Sequence, residues 1–158
     1  MPSAQTGTVV EVTTRIAASP ETIFDFFTDP RKMVQWMGRD ARLEPQPGGV
    51  FRCDMSGRNI ARGTYVEVDR PRRVVFTWGW EDEESPTRPG SSTVEVTLVP
   101  DGDETDVRLI HRDLPDEASR EAHGQGWRHY AERLTIVAAG GDPGDDPWAT
   151  PEGADRGV

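Results

Sequence analysis

The sequence predicts an α+β domain: an antiparallel sheet of seven strands, two short helices inserted after the first strand, and one long helix toward the C-terminal end. Three observations carry that prediction. Apolar and polar residues alternate near the start and again across residues 41 to 112, the period-2 signature of half-buried strands. Between those regions, two apolar runs follow helix-start signals and are separated by Asp29-Pro30. From residue 116 to 139 the apolar period changes to that of an amphipathic helix.

The first strand is expected over Thr8 to Ala17, where Val10, Val12, Thr14 and Ile16 alternate with Glu11, Thr13 and Arg15. Ser19 then stands as an N-cap, Pro20 at the first helical position and Glu21 and Thr22 in the first turn, ahead of the apolar face of Ile23, Phe24, Phe26 and Phe27. A second short helix, Arg31 to Met37, offers Met33, Val34, Trp36 and Met37 for burial. Residues 39 to 44 supply the next strand, and the turn at residues 44 to 49 leads into Val50 to Ser56. Asn59 to Asp69 and Arg72 to Glu81 flank a turn at Arg70-Pro71; Ser92 to Pro100 and Glu104 to Arg112 flank the hairpin loop Asp101-Gly102-Asp103. Glu81 to Gly90 is the longest polar connection and reads as a solvated loop or a mobile mouth. In the final helix Trp127, Tyr130, Ala131, Leu134 and Ala138 share one stripe. Gly124 and Gly126 each weaken it by about 1 kcal/mol relative to alanine, so a close approach to the sheet is expected there.

Length and charge bound the function. The 158 residues make one domain, divided into a flexible N-terminus (1–7), the folded body (8–139) and a disordered acidic tail (140–158) in which Gly, Pro and acids surround Trp148. A net charge of -10 argues against nucleic acid, whose binding feeds on Lys and Arg. No apolar run is long enough to span a membrane and no signal peptide is visible, so the cytoplasm is the expected compartment. Cys53 is the sole cysteine, which excludes an internal disulfide and reads as a buried small hydrophobe. There is no nucleophile elbow, phosphate-cradling loop, dinucleotide fingerprint or zinc-protease motif, and no cofactor is expected. His111, Asp113 and His123 have metal-ligand chemistry but no metal-site spacing, so no metal is assigned. Arg70, Arg72 and Arg73 form a basic cluster that reads as a solvated corner.

Period-2 phase nominates the inward face. Val74, Phe76, Trp78 and Trp80 share it with Val94, Val96 and Leu98 and with Val107, Leu109 and His111; Phe51, Cys53, Met55 and Tyr65 join them. These residues are either ordinary core or the wall of a pocket that grips an apolar molecule while Trp, Tyr and His orient it. His123 precedes Trp127 by four residues and shares its helical face. With Glu67 or Asp113 as a carboxylate partner, His111 and His123 would form a proton donor and acceptor pair; alternatively they are hydrogen-bonded histidines that pin helix to sheet.

Several motifs recur in a known order. They are Ala18 to Phe24 opening the first helix, Trp36 closing the second, and Pro47-Gly48-Gly49-Val50-Phe51. They continue with Gly63 to Val68 ahead of Pro71, Val75-Phe76-Thr77-Trp78, His111 with Leu114-Pro115, and His123 with Gly126-Trp127. In these the chain resembles the helix-grip fold of the START and birch-pollen-allergen superfamily, and within it the branch of the activator of the ninety-kilodalton heat-shock protein ATPase. The resemblance spans residues 8 to 139. It implies a curved sheet wrapped around the long helix, with a cavity that in many relatives holds a lipid, polyketide, hormone or other apolar molecule. Fold does not select function within this superfamily. The leading expectation is a binder of a hydrophobic or aromatic small molecule with no assigned reaction, its cavity lined by Phe51, Met55, Tyr65, Phe76, Trp78, Trp80, Val96, Leu109, His111, His123, Trp127 and Tyr130. A co-chaperone-like interaction domain is the second, although the eponymous activators carry a separate chaperone-binding domain for which this length leaves no room. A cyclase, dehydratase or resistance-type enzyme using His111, His123 and Glu67 is the third. The expected state is a monomer or homodimer.

Overall fold

Strand alternation decides which face of the sheet becomes core, and hairpin order decides which strands are neighbours. The computed structural model describes the backbone of residues 4–6 and residues 9–149. In chain order it comprises β1 (Ala4–Thr6), β2 (Val9–Ile16), α1 (Pro20–Thr28), α2 (Pro30–Met33), β3 (Asp40–Leu43), β4 (Val50–Asp54), β5 (Ile60–Asp69), β6 (Arg73–Trp78), β7 (Ser92–Asp101), β8 (Glu104–Arg112) and α3 (Glu117–Ala138). The sheet order is β1-β2-β8-β7-β6-β5-β4-β3, and every neighbouring pair is antiparallel. The strands β3 to β8 form a meander, and α1 with α2 carries the chain from β2 across to its far edge. This is the expected α+β helix-grip architecture, a curved antiparallel sheet around a C-terminal helix. A register shift between Tyr65 and Glu67 bends the ladder where β5 meets β6.

The inward phase is continuous across strands. Val94 faces His111, Val96 faces Leu109 and Leu98 faces Val107, while Val10 and Val12 extend the same rows from β2. All of these side chains are buried, as are Ile23, Phe24, Phe26 and Phe27 of α1. Caps set the helix starts: the Ser19 hydroxyl accepts from the Thr22 amide at 3.2 Å, Asp29 from Arg31 at 2.9 Å and Asp116 from Ser119 at 2.7 Å. The α1 C-terminus is satisfied by ring donors. Trp36 Nε1 donates to Phe26 O at 2.9 Å and the Tyr65 hydroxyl to Phe27 O at 2.8 Å.

Four expectations change. Ala4–Thr6, within the segment expected to be flexible, pairs with β2 as an eighth, edge strand. Asp29 caps α2 and Pro30 is its first residue, so α2 is one turn of four residues and does not run to Met37. β6 ends at Trp78 because the Arg88 carbonyl lies 1.9 Å from where a Gly79 Cβ would stand; the loop backbone crosses there, and Trp80 makes only an isolated bridge to Ala61. Finally, residues 140–149 of the supposedly disordered tail fold back on α3. Trp148 stacks on His129 with ring centroids 4.0 Å apart, and Arg133 donates to the Pro143 and Gly144 carbonyls at 3.4 and 3.0 Å. Residues 150–158 lie outside the described residues.

The basic cluster is ion-paired at the surface, Arg70 with Asp25, Arg72 with Asp69, and Arg73 with Glu67 and Glu95. Such pairs are individually worth little.

Candidate functional site: an aromatic void behind a cleft

The C-terminal end of β6 and the first half of α3 bring three indoles and two imidazoles together. Trp78 lies 5.1 Å from Trp127, 5.4 Å from Trp80 and 5.9 Å from His111, centroid to centroid. His111 and His123 are 5.0 Å apart, as the shared helical face of His123 and Trp127 requires.

Hydrogen bonding fixes the tautomer of each histidine, because an indole N–H can only donate. Trp127 Nε1 donates to His111 Nδ1 at 2.9 Å, so the proton of His111 sits on Nε2. That proton goes to the Ser92 hydroxyl at 2.8 Å, and Ser92 in turn donates to the Trp78 carbonyl at 2.7 Å. His123 has the opposite tautomer. Its Nε2 accepts from Trp80 Nε1 at 3.0 Å and its Nδ1 donates to the Ser119 carbonyl at 2.7 Å. Burial pushes both imidazoles below their ordinary value, His111 far below and further opposed by His123. No ring nitrogen of the pair is left for proton transfer.

Glu67 is not part of this arrangement. It is half-exposed on the other face, bonded to Arg73 at 3.1 Å. Asp113 is also exposed and pairs with Arg112 at 3.8 Å. Cys53 is buried with its thiol 3.6 Å from the Met37 carbonyl, and burial pushes the thiol up, away from the reactive thiolate. Among the described residues no group of three His, Cys, Asp or Glu is placed to hold a metal ion.

The wide hollow implied by the resemblance is nearly filled. Between sheet and helix there is one void of about 10 Å³, lined by Met37, Met55, Trp78, Trp80, His123, Gly126, Trp127 and Tyr130. A second of about 10 Å³ lies beside Leu109, Trp127 and Leu134. Each has room for about one water molecule. Phe51, Tyr65 and Phe76 pack on one another instead, Phe51 stacked on Phe76 at 4.1 Å, and with Val96 and His111 they line neither void. Six of the twelve expected lining residues therefore meet at the first void: Met55, Trp78, Trp80, His123, Trp127 and Tyr130.

Outside it opens a cleft of about 360 Å³ between the 81–90 loop and the start of α3, lined by residues that include Asn59, Asp82, Glu84, Thr87, Asp116 and Ser119. Trp80 and His123 line both the cleft and the first void, so their hydrogen-bonded pair is the partition between them. The 81–90 loop was read from the sequence as a solvated connection or a mobile mouth, but its carboxylates and the start of α3 were not named as lining a cleft. Ser92 was missed too, although it is in phase with Val94, Val96 and Leu98, which was signal enough to place it inward.

One polar atom in this cluster is unsatisfied. Trp78 Nε1 is buried without a hydrogen-bond partner, and the Trp78 residue is 3 % exposed.

Comparison with known proteins agrees with the geometry. Residues 17–139 match the family model described as activator of Hsp90 ATPase homolog 1-like protein. An AHSA1-like protein of Rhizobium etli is 41% identical, aligned over 94% of this chain and 92% of its own, with a TM-score of 0.72. An HSP90 activator of Plasmodium falciparum shares the fold at 24% identity, over 83% of this chain and 96% of its own, with a TM-score of 0.70. A protein of Chromobacterium violaceum does so at 20% identity, over 84% and 97%, with a TM-score of 0.72. No curated protein matches. In the described residues no helix is long and apolar enough to cross a membrane. With its family model matched over most of the fold and a relative 41% identical along nearly its whole length, the chain belongs to the family of activator of Hsp90 ATPase homolog 1-like proteins.

Proposed function

We propose that the protein binds a hydrophobic, aromatic small molecule between its sheet and α3, admitted from the cleft past Trp80 and His123. The observation that carries this reading is the hydrogen-bonded Trp80–His123 pair standing between an open cleft and an aromatic void, with Trp78, a wall of that void, holding a buried N–H that has no partner. An unpaired buried donor costs about 1–3 kcal/mol, and an acceptor atom on a ligand recovers it. The cleft, at about 360 Å³, falls in the range of small-molecule pockets. The void behind it is bounded by Met37 and Met55, whose unbranched side chains re-pack readily. Entry requires breaking one hydrogen bond, Trp80 to His123, and swinging the indole outward. His123 acts in this reading as the latch, and His111, behind the wall, holds Trp127 in place, since both nitrogens of each are engaged.

Titration with N-phenyl-1-naphthylamine, followed by probe fluorescence and by native mass spectrometry, tests the proposal. Saturable one-to-one binding, blocked by Met55→Trp filling the void, is expected. Absence of saturable binding to the wild-type protein overturns it.

A second reading, a chaperone partner, is favoured by the Plasmodium HSP90 activator, which shares this fold over 96% of its length. A pull-down with an Hsp90-type chaperone and an ATPase measurement test it; no complex and no change in turnover end it.

A further inference from the structure

We infer that the ligand is a cation: an aromatic amine whose ring passes inward beyond Trp80 while its ammonium group stays in the cleft. This rests on the reading of cleft and void as one small-molecule site. The cleft wall combines the Trp80 ring with the carboxylates of Asp82, Glu84 and Asp116, and its lining contains no Lys or Arg. His123, the one imidazole in the wall, is buried and held neutral by its hydrogen bonds. Arg88, the cation of the adjoining loop, is turned back onto the Trp80 and Asp82 carbonyls at 3.3 and 2.5 Å. Asp116 and Asp82 each accept from a backbone amide, those of Ser119 and Glu84, which fixes them in place; Arg120, outside the lining, also acts on Asp116 through its charge.

An ammonium over an indole face gains from the ring quadrupole, and carboxylates beside it add to that gain. The protein's net charge of -10 attracts cations to the mouth and repels anions. At the other end of the site the requirement is different: the void is walled by indoles and by Met37 and Met55, which suit an apolar ring. The two ends together specify an amphiphile, positive outside and aromatic inside.

Isothermal titration calorimetry with three matched naphthalenes separates the possibilities: naphthalen-1-ylmethylamine, naphthalen-1-ylmethanol and 1-naphthoate. The amine is expected to bind about tenfold tighter than the alcohol, the size of one cation–π contact with screened carboxylates, and the naphthoate weakest. Added salt shrinks the amine's advantage. In the triple variant Asp82→Asn, Glu84→Gln, Asp116→Asn, in which asparagine can still cap α3, the amine loses the carboxylates' share of its advantage and keeps only that of the Trp80 ring, with near-UV circular dichroism confirming the fold. Equal binding of all three by the wild-type protein, or preference for the naphthoate, overturns the cation assignment and leaves the pocket standing. Failure of all three to bind overturns both.

Discussion

Lowering the pH through the histidine range tests the two-imidazole core directly. Protonating His111 would place a new Nδ1–H against the Trp127 N–H at 2.9 Å, and protonating His123 would do the same against Trp80 at 3.0 Å. Charging both, at a centroid separation of 5.0 Å, adds about 3 kcal/mol of repulsion at an effective dielectric of about 20. The folded state therefore resists protons that the unfolded chain takes up near the ordinary histidine value of 6.5. For groups with depressed folded values, stability is complete above the unfolded value and is lost as pH falls below it. The loss is about 1.4 kcal/mol per pH unit for each histidine until its folded value is reached. Both losses run in the same direction, and His111, buried deeper and held further down, carries the larger share. The carboxylates held low, Glu44, Glu81, Asp116 and Asp146, have ordinary values of 3.8 to 4.5, so their contribution is lost only beneath this window. Urea unfolding at a series of pH values measures the slope, and His111→Gln should remove the larger part of it even though it lowers stability overall. A midpoint that stays flat from pH 7.5 to 5 refutes the locked-tautomer argument.

Three further outcomes follow from single contacts. Tyr65→Phe leaves the buried Phe27 carbonyl without its 2.8 Å donor and should cost about 1–2 kcal/mol in chemical denaturation with an unchanged m-value. Gly124→Ala should stabilise by up to about 1 kcal/mol, read as a raised melting temperature. Its Cβ would meet only the Arg128 guanidinium at 3.3 Å and the Val10 side chain at 3.7 Å, so at Gly124 the approach to the sheet does not demand glycine. Trp148→Ala should cost roughly 1 kcal/mol and expose residues 140–149 to limited proteolysis, because the His129 stack and the Tyr130 edge contact at 6.0 Å are both lost.

The strands were legible because an antiparallel sheet with one wet face writes its burial into every second residue, and β8 was placed with its observed bounds. Helix starts were legible because Ser19 caps through its own side chain within three residues. What escaped depends on long-range partners. The tail's composition reads as disorder, yet Trp148 and Asp146 find His129, the carboxylate at 2.9 Å, and Arg133 holds two loop carbonyls. No local pattern encodes those meetings. The same holds for the strand break at Gly79, which is set by the backbone at Arg88, nine residues away. At the site, strand phase, helical spacing and the family resemblance together nominated twelve residues and could not tell the six at the void from the Phe51, Tyr65 and Phe76 cluster. That distinction lies in which rings fill one another's space, and it exists only once the sheet curves.

The three indoles of the site divide two against one. Trp127 on the helix donates to His111 on the sheet, and Trp80 beyond the sheet's edge donates to His123 on the helix, so the two elements are pinned by reciprocal bonds of opposite direction. Trp78, between them, donates to nothing. A core selected only for stability gains by replacing it with phenylalanine, which keeps most of the ring packing and removes an unpaired donor worth about 1–3 kcal/mol when buried. Trp78→Phe is accordingly expected to unfold at the same or a higher urea concentration than the wild type, whereas Trp127→Phe, which strands His111 Nδ1, should be destabilised by about 1–3 kcal/mol. The same Trp78→Phe protein should bind acceptor-bearing aromatic molecules several-fold more weakly. If it is instead markedly less stable and binds them equally well, the indole N–H has a structural partner, and the strongest reason to regard the void as a binding site disappears.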